Sequence, residues 1–261
     1  MFDLKHFEGV QKDFQKVWGY LQSLDSNGEA YKDIAEFRVY RNPKMLSVLK
    51  EVGFVKVPDD IDLTPLKELP NYTELGLESK SGNCLLGGRY AFPVRDFLGN
   101  ILALIGWFPD YKKYITTPSR YFKRSALFFG MEQASRVIEG EEFVFVCEGI
   151  FDALTLRSLG YRAYATMGVD VGREKRLLYP FLGKRIVGIS DRDGAGKKVR
   201  DTDRWGIGQY ITWGDEVKNA FEESGLVIKD IDDLAKLFDN TEIVKVFDEA
   251  ILNSKDRIIK L

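Results

Sequence analysis

An α/β fold with a parallel central sheet, preceded by a mixed α/β basic segment and flanked by helical segments at both ends, is the architecture this sequence predicts. Two observations carry the prediction. The apolar runs Phe143–Cys147 and Arg185–Ser190 each stop abruptly at an acid, Glu148 and Asp191, with glycine and a helical pattern close behind. From Phe143 onward, strand-like and helix-like stretches alternate: strand over 143–147, helix over 151–159, strand over 161–166, helix over 173–182, strand over 185–190 and a helix from Gly196 to about Trp205. That spacing belongs to βαβ units around a parallel sheet. Ligands of such sheets bind outside the carboxyl ends of the strands, where Glu148, Asp152, Asp191 and Asp193 fall.

The elements before this core read differently. Val10, Phe14, Val17, Trp18, Leu21 and Leu24 recur at three- and four-residue steps, which predicts an amphipathic helix. Asp25-Ser26-Asn27-Gly28 interrupts it. Further helical patterns run through 31–39 and 45–49 and end near Gly53, so that residues 1–56 read as helical. Pro58 to Pro70, with Asp59, Asp60 and Asp62, reads as a connection. Tyr90–Val94 and Ile101–Trp107 are strand-like and flank a turn at Gly99-Asn100, a hairpin pattern. At the other end, 215–224, a stretch from Asp230 and 241–252 read as helices, while 206–214 has no clear pattern. The division expected from these textures is a helical segment over 1–80, a basic mixed α/β segment over 81–140, the parallel-sheet domain over 141–214 and a helical end over 215–261.

Composition excludes several classes. With 261 residues, 44% hydrophobic and 30% charged, the chain can bury a sizeable core. Two cysteines, Cys84 and Cys147, and one histidine, His6, cannot supply the four ligands of a structural zinc site or a disulfide framework. No signal peptide is visible, and no run approaches the ~18 apolar residues of a membrane span. A reducing, cytoplasmic setting without membrane attachment is therefore expected. Net charge is only −2, but its distribution is uneven. Between Cys84 and Arg124 the bases Arg89, Arg95, Lys112, Lys113, Arg120, Lys123 and Arg124 face only Asp96 and Asp110, whereas acids outnumber bases after Asp215. Tyr111, Tyr114, Tyr121 and Phe122 interleave with these cations, a mix suited to phosphates and stacked bases and equally to a solvated strand face with snorkelling cations.

The acids are the candidate chemistry. Asp152 lies one helical turn after Glu148 and can face the same cleft. Asp191 and Asp193, two apart, would point to one side of a strand end. Asp230 and Asp232 in KDIDDL add a third pair. Gly194 and Gly196 leave room for a phosphate or metal to approach the backbone. Two carboxylates about 4 Å apart repel by roughly 4 kcal/mol at an effective dielectric near 20, which bound Mg²⁺ or Mn²⁺ would offset. Taken singly, each acid also reads as a helix N-cap or a solvated loop residue.

Together these motifs resemble a family. FVCEGIFDAL followed by ISDRDGAGKKV resembles the Toprim fold of primases, topoisomerases and some nucleases, with its acid-Gly motif and later D-x-D. RYAFPVRDFLGNILALIGW, KKYITTPSRYFKRSALFFGMEQA and KDIDDLAKL are similar, in matching order over about 85–240, to segments of bacterial and phage DnaG-type primases, and the first two lie outside the Toprim unit. The resemblance implies a Toprim-type sheet behind a basic subdomain, with Glu148, Asp152, Asp191, Asp193, Asp230 and Asp232 as metal-site acids and Glu148 as general base. It places Arg89, Lys113 and Arg124 at template or nucleotide phosphates, beside Arg95, Lys112, Arg120 and Lys123 of the same basic stretch. The implied function is a DNA primase core: RNA primers made on a single-stranded DNA template from ribonucleoside triphosphates with two or more Mg²⁺ or Mn²⁺ ions and no zinc. A replicative helicase or a separate zinc-binding module would be its further partner, and the compact form implies a phage or mobile-element version. Trp107 and Arg124 depart from the family's usual arginine and lysine, and the first eighty residues resemble nothing comparable. The rival readings are a Toprim-type metal-dependent nuclease and a non-catalytic nucleic-acid-binding protein of the same fold.

Overall fold

The computed structural model describes residues 4–25, 28–38, 43–109, 113–117, 122, 127–136, 143–167, 181, 184–191, 193–212, 230–234, 240–253 and 258–260. They fall into two compact units, Met1–Val39 with Leu49–Lys123 and Tyr40–Val48 with Arg124–Leu261.

The first unit begins with α1 (Leu4–Leu24), whose stripe Val10, Phe14, Val17, Trp18 and Leu21 is almost fully buried. The Asp25 carboxylate ends the interruption after it. It accepts from the backbone amides of Glu29 and Ala30 at the start of α2 (Glu29–Arg38), and from the amide of Lys56. One acid thereby caps a helix and anchors a strand. Helix α3 (Pro43–Val52), whose residues up to Val48 fall in the second unit, opens on proline, whose missing N–H is no loss there. It closes at Gly53, whose φ of 82° a β-carbon would strain. Four antiparallel strands follow in the order β1 (Val55–Lys56), β2 (Tyr90–Arg95), β3 (Ile101–Phe108) and β4 (Lys113–Thr116). β2 and β3 form the expected hairpin, with a register shift between Val94 and Arg95. Proline at 93 is tolerated inside β2 because β1 pairs only with Tyr90 and Ala91, so the ladder on that side stops before it.

The α1 stripe, Val55, Val57, Leu86, Ala91, Ile101 and Leu104 form one continuous core. The boundary expected at residue 80 is therefore not one that the packing makes: the N-terminal helices and the hairpin sheet stabilise each other. The stretch 1–56 is also not all helical. Val55 and Lys56 pair with Ala91 and Tyr90, a two-residue strand with too little pattern to be read.

The second unit is a five-stranded parallel sheet in the order β6 (Ala163–Ala165), β5 (Phe143–Cys147), β7 (Arg185–Ile189), β8 (Tyr210–Thr212) and β9 (Ile258–Lys260). Val144 to Cys147 are fully buried, as a strand covered on both faces requires. α4 (Ile150–Ser158) is buried at every residue except Arg157, so it has no polar face to betray it as a surface helix. α5 (Gly194–Thr202), α6 (Ile231–Leu234) and α7 (Asn240–Asn253) follow among the described residues. Phe247 of α7 packs edge-on against Phe145 of β5, and Tyr161 donates to Asp248 at 2.9 Å. The C-terminal segment contributes β9 to the sheet, so the expected boundary at 214 does not separate two domains either. The helices expected over 173–182 and 215–224 lie outside the described residues, apart from Phe181.

From β5 the chain steps to β6 on one side, then returns across β5 to β7, and β8 and β9 continue that way. The strand order thus reverses between β5 and β7. At such a reversal the connections leave in opposite directions and open a crevice at the carboxyl ends of the two strands.

Phe14 is fully buried where helix meets sheet. Phe14→Ala is expected to lower the stability of the first unit by about 3–5 kcal/mol, read as an earlier urea midpoint in tryptophan fluorescence. A loss below about 1 kcal/mol would mean that the helix does not share the sheet's core.

Candidate active site

β5 and β7 run in parallel register with Cys147 opposite Ile189, and the Glu148 amide donates to the Ile189 carbonyl at 3.2 Å. Glu148 and Asp191 therefore leave the sheet from neighbouring strand tips. Burial raises the pKa of Glu148 above the ordinary glutamate range. The charge of Asp193 pushes in the same direction, and the Asp191 backbone N–H, which stabilises the carboxylate, opposes both. One oxygen of Glu148, Oε2, is buried with no hydrogen-bond partner. A buried carboxylate oxygen without a donor is costly and is suited to receive a cation.

Asp193 is the N-cap of α5: its Oδ1 accepts from the Gly196 amide at 2.8 Å. Capping and the field on Glu148 coexist, because the cap occupies one oxygen of an otherwise exposed carboxylate. The two glycines of the loop differ. A β-carbon on Gly194 would meet open space, as approach by a ligand requires. A β-carbon on Gly196 would collide with the Asp191 main chain. Glycine at 196 is thus required by the loop's own closure, not by a ligand as the sequence pattern implied.

Asp152 is buried in the first turn of α4, its Oδ2 lying over the α-carbon of Gly149, where a β-carbon would clash. Asp230 caps α6, accepting from the Asp233 amide at 2.9 Å, and α6 packs on α4. The position of both acids registers at Cys147. Burial pushes that thiol well above its usual range, and the charges of Asp152, Asp191 and Asp230 add to the effect against Arg157. The charges of Asp152, Asp191 and Asp230 thus act on the end of β5 at Cys147, and that of Asp193 acts on Glu148 beside it. The Asp232 side chain lies outside the described residues. Among the described residues no three Asp, Glu, His or Cys groups close into a ready-made metal cage.

The basic stretch is partly structural. Arg89 donates from Nε to the Leu85 carbonyl at 3.1 Å, and its guanidinium lies 5.8 Å from the Phe108 ring centroid. Arg95 donates to the Gly99 carbonyl of its own hairpin at 2.9 Å. Trp107 is a core residue against Tyr90. Lys112, Arg120, Lys123, Arg124 and the Lys113 side chain lie outside the described residues. Sequence reasoning passed over Ser190 and Arg200: Arg200 binds the main chain at the tip of β7. No pattern of residues pointed to either.

No protein-family model matches the chain. Among curated proteins it is 30% identical to the DNA primase of Thermotoga maritima over 192 residues, 71% of this chain and 32% of that protein. It is 34% identical to the DNA primase of Deinococcus radiodurans over 117 residues, 43% and 20% of the two chains. The chain thus spans about a third or less of the length of these relatives. Among solved structures, it is similar to the zinc-binding and RNA polymerase domains of Aquifex aeolicus primase, with TM-score 0.71, 22% identity and coverage of 95% of this chain and 63% of that one. The RNA polymerase domain of the Mycobacterium tuberculosis primase DnaG gives TM-score 0.67 and 19% identity over 90% and 81%. A DnaG primase catalytic domain bound to single-stranded DNA gives 0.68 and 16% over 95% and 80%. Coverage of 95% takes in the N-terminal helices, so the shared fold extends beyond the 85–240 stretch whose motifs resemble primases.

Two outcomes follow from this geometry. Because the folded-state pKa of Glu148 is raised, its ionised form opposes folding at neutral pH, and the penalty disappears as pH falls below the ordinary glutamate value. In chelator, Glu148→Gln is therefore expected to melt a few degrees above the parent at pH 7, with the gap closing as the solution is acidified. A gap that widens on acidification would contradict the burial argument. Gly196→Ala is expected to lose about 1–3 kcal/mol and to displace Asp191, visible as lost protection of the β7-tip amides in hydrogen exchange.

Proposed function

We propose that the chain, a homologue of DnaG-type DNA primases with the fold of their RNA polymerase domain, is a nucleotidyl-transferring core that makes short RNA primers on single-stranded DNA from ribonucleoside triphosphates. One observation carries the reading: Glu148 emerges beside Asp191 and within the field of Asp193 at the strand-order reversal, with an unpartnered oxygen. Carboxylates joined to a nucleic-acid polymerase fold are the donor set that Mg²⁺ or Mn²⁺ takes in phosphoryl transfer.

In this reading Glu148, Asp191 and Asp193 hold divalent ions, with Asp152, Asp230 and Asp232 completing the acidic surround. The donors fit: all are oxygen ligands, and Glu148 Oε2 lacks any competing hydrogen bond. When bound, the ions would neutralise the triphosphate and offset the mutual repulsion of the acids. Glu148 itself accepts the proton of the primer 3′-hydroxyl. Asp193 stays fixed by its cap, so the pair does not have to reorganise when substrate arrives. Arg89, Arg95, Lys112, Lys113, Arg120, Lys123 and Arg124 meet template or nucleotide phosphates. The similar catalytic domain bound to single-stranded DNA supports a template of that kind. In this reading template choice rests on a zinc-binding module or a replicative helicase; the two cysteines and one histidine of these 261 residues do not build such a module.

Incubation with single-stranded DNA, labelled ribonucleoside triphosphates and Mn²⁺ is expected to yield oligoribonucleotides, and Glu148→Gln to lower the rate by about 10²–10⁴-fold while DNA binding persists. Background synthesis from both proteins would overturn the reading. Mn²⁺-dependent DNA cleavage without triphosphates would replace it with a nuclease.

A further inference from the structure

Arg200, on α5 seven residues after Asp193 and nine after Asp191, reaches back to the strand tip from which they project. Its Nη1 donates to the Asp191 carbonyl at 2.9 Å, to the Ser190 hydroxyl at 2.9 Å and to the Ser190 carbonyl at 3.3 Å. Ser190 is buried, and its hydroxyl donates in turn to the Gly196 carbonyl at 3.0 Å. The Gly196 amide donates to Asp193, and its α-carbon abuts the Asp191 main chain. A closed circuit results: guanidinium to strand tip, strand tip to helix start, helix start to the second acid of the motif. The Ser190 and Asp191 carbonyls, on either side of the Asp191 α-carbon, are both held inside that circuit. Carbonyl oxygens at the end of a strand otherwise turn to water, and a multidentate guanidinium is the side chain that can gather several of them at once.

We propose that Arg200 is a positioning residue. It holds the Ser190–Asp191 tip so that the carboxylates of Asp191 and Asp193 present themselves with Glu148 to a divalent ion. The proposal rests on the reading of this site as a divalent-cation site, and it concerns a residue that touches neither ion nor substrate. It makes a prediction of unusual sign. A positive charge near a cation site weakens cation binding by simple electrostatics, so if Arg200 acted only through its charge, its removal would tighten Mn²⁺ binding. If it acts by holding the tip, removal weakens binding, and outer supports of metal ligands typically change affinity by about 10–100-fold.

The test is Mn²⁺ titration of the full chain followed by electron paramagnetic resonance, without nucleotide or DNA and at a temperature where circular dichroism shows each variant folded. Arg200→Ala is expected to bind Mn²⁺ at least about tenfold more weakly, Arg200→Lys to recover part of the loss, and Lys198→Ala, which removes an exposed charge from the same helix, to bind as the parent does or more tightly. Arg200→Ala binding with unchanged or higher affinity overturns the proposal, even if its thermal midpoint falls, because a merely structural bond would lower the midpoint alone. Should Arg200→Ala not fold, Ser190→Ala takes its place. It opens the circuit at the hydroxyl and is expected to weaken Mn²⁺ binding severalfold; affinity equal to the parent's overturns the proposal. Asp191→Asn separates this from the wider reading. If the parent binds no Mn²⁺ that Asp191→Asn abolishes, the divalent-cation reading fails and Arg200 falls with it. If Asp191→Asn abolishes binding and Arg200→Ala does not weaken it, only the role of Arg200 fails.

Discussion

The pairing of β5 with β7 is the constraint from which the rest of the candidate site follows. Parallel strands in register bring Cys147 beside Ile189, and so the residues just after them, Glu148 and the Ser190–Asp191 tip, have no choice but to share a crevice. The strand-order reversal removes any connection that would cover it. An acid at each of two adjacent tips is a poor arrangement for an isolated protein. Two carboxylates at about 4 Å repel by roughly 4 kcal/mol at an effective dielectric near 20, and burial of Glu148 adds to the strain of keeping it charged. The arrangement makes physical sense only if something else is stabilised by it.

The molecule answers this repulsion locally. Three of the acids have part of their hydrogen-bonding capacity taken up by backbone amides: Asp193 by Gly196, Asp230 by Asp233, and Glu148 by the N–H of Asp191. Amides are dipoles, so they soften the charge without cancelling it, and they leave further oxygen lone pairs for a ligand. The N-cap reading of these acids and the ligand reading are therefore not competitors. A capped carboxylate is a fixed carboxylate, and fixed donors bind cations without a further ordering cost. Glu148 Oε2 is the place where the local answer is incomplete, and incomplete satisfaction at one point of an otherwise satisfied loop is how functional sites commonly depart from the rules that govern the core.

Much of this was legible in the residues. The strand ends at Glu148 and Asp191 could be placed because an apolar run buried on both faces is strand-like in its own right and an acid cannot continue it. The hairpin at Gly99-Asn100 and the α1 stripe were equally plain, since their periods match what they pack against. Four pieces were not. β1, β4, β8 and β9 are two to four residues long, too short for any period to show, and they exist because a neighbouring strand offers a ladder. The core shared by α1 and β3 was hidden for a related reason: a helical stripe says that one face is buried, but not against what. The bond of Arg95 to Gly99 was hidden because sequence shows a charge and not its commitments, and that bond exists only once the hairpin has closed. Arg200 was invisible because nine residues of chain separate it from the carbonyl it binds, and only the strand-turn-helix geometry brings them together.

The same distinction between a charge and its commitments bears on how phosphates would be recognised. An arginine whose Nε is fixed to a carbonyl, as Arg89 is to Leu85, has lost much of its rotamer freedom before any ligand arrives. Its stem lies against Gly106, where no side chain could fit beside it, and its plane is held near the Phe108 ring. Ordering such a side chain on a phosphate forfeits less entropy than ordering a free lysine, where about 0.5–1.5 kcal/mol is typical for each immobilised side chain. A structural hydrogen bond on Nε leaves the terminal nitrogens to point in one direction, which is the geometry that bidentate phosphate recognition needs. Arg89 is thus a stronger candidate for a phosphate contact for being partly engaged. Arg95 is the reverse case, because there it is a terminal nitrogen that the hairpin holds.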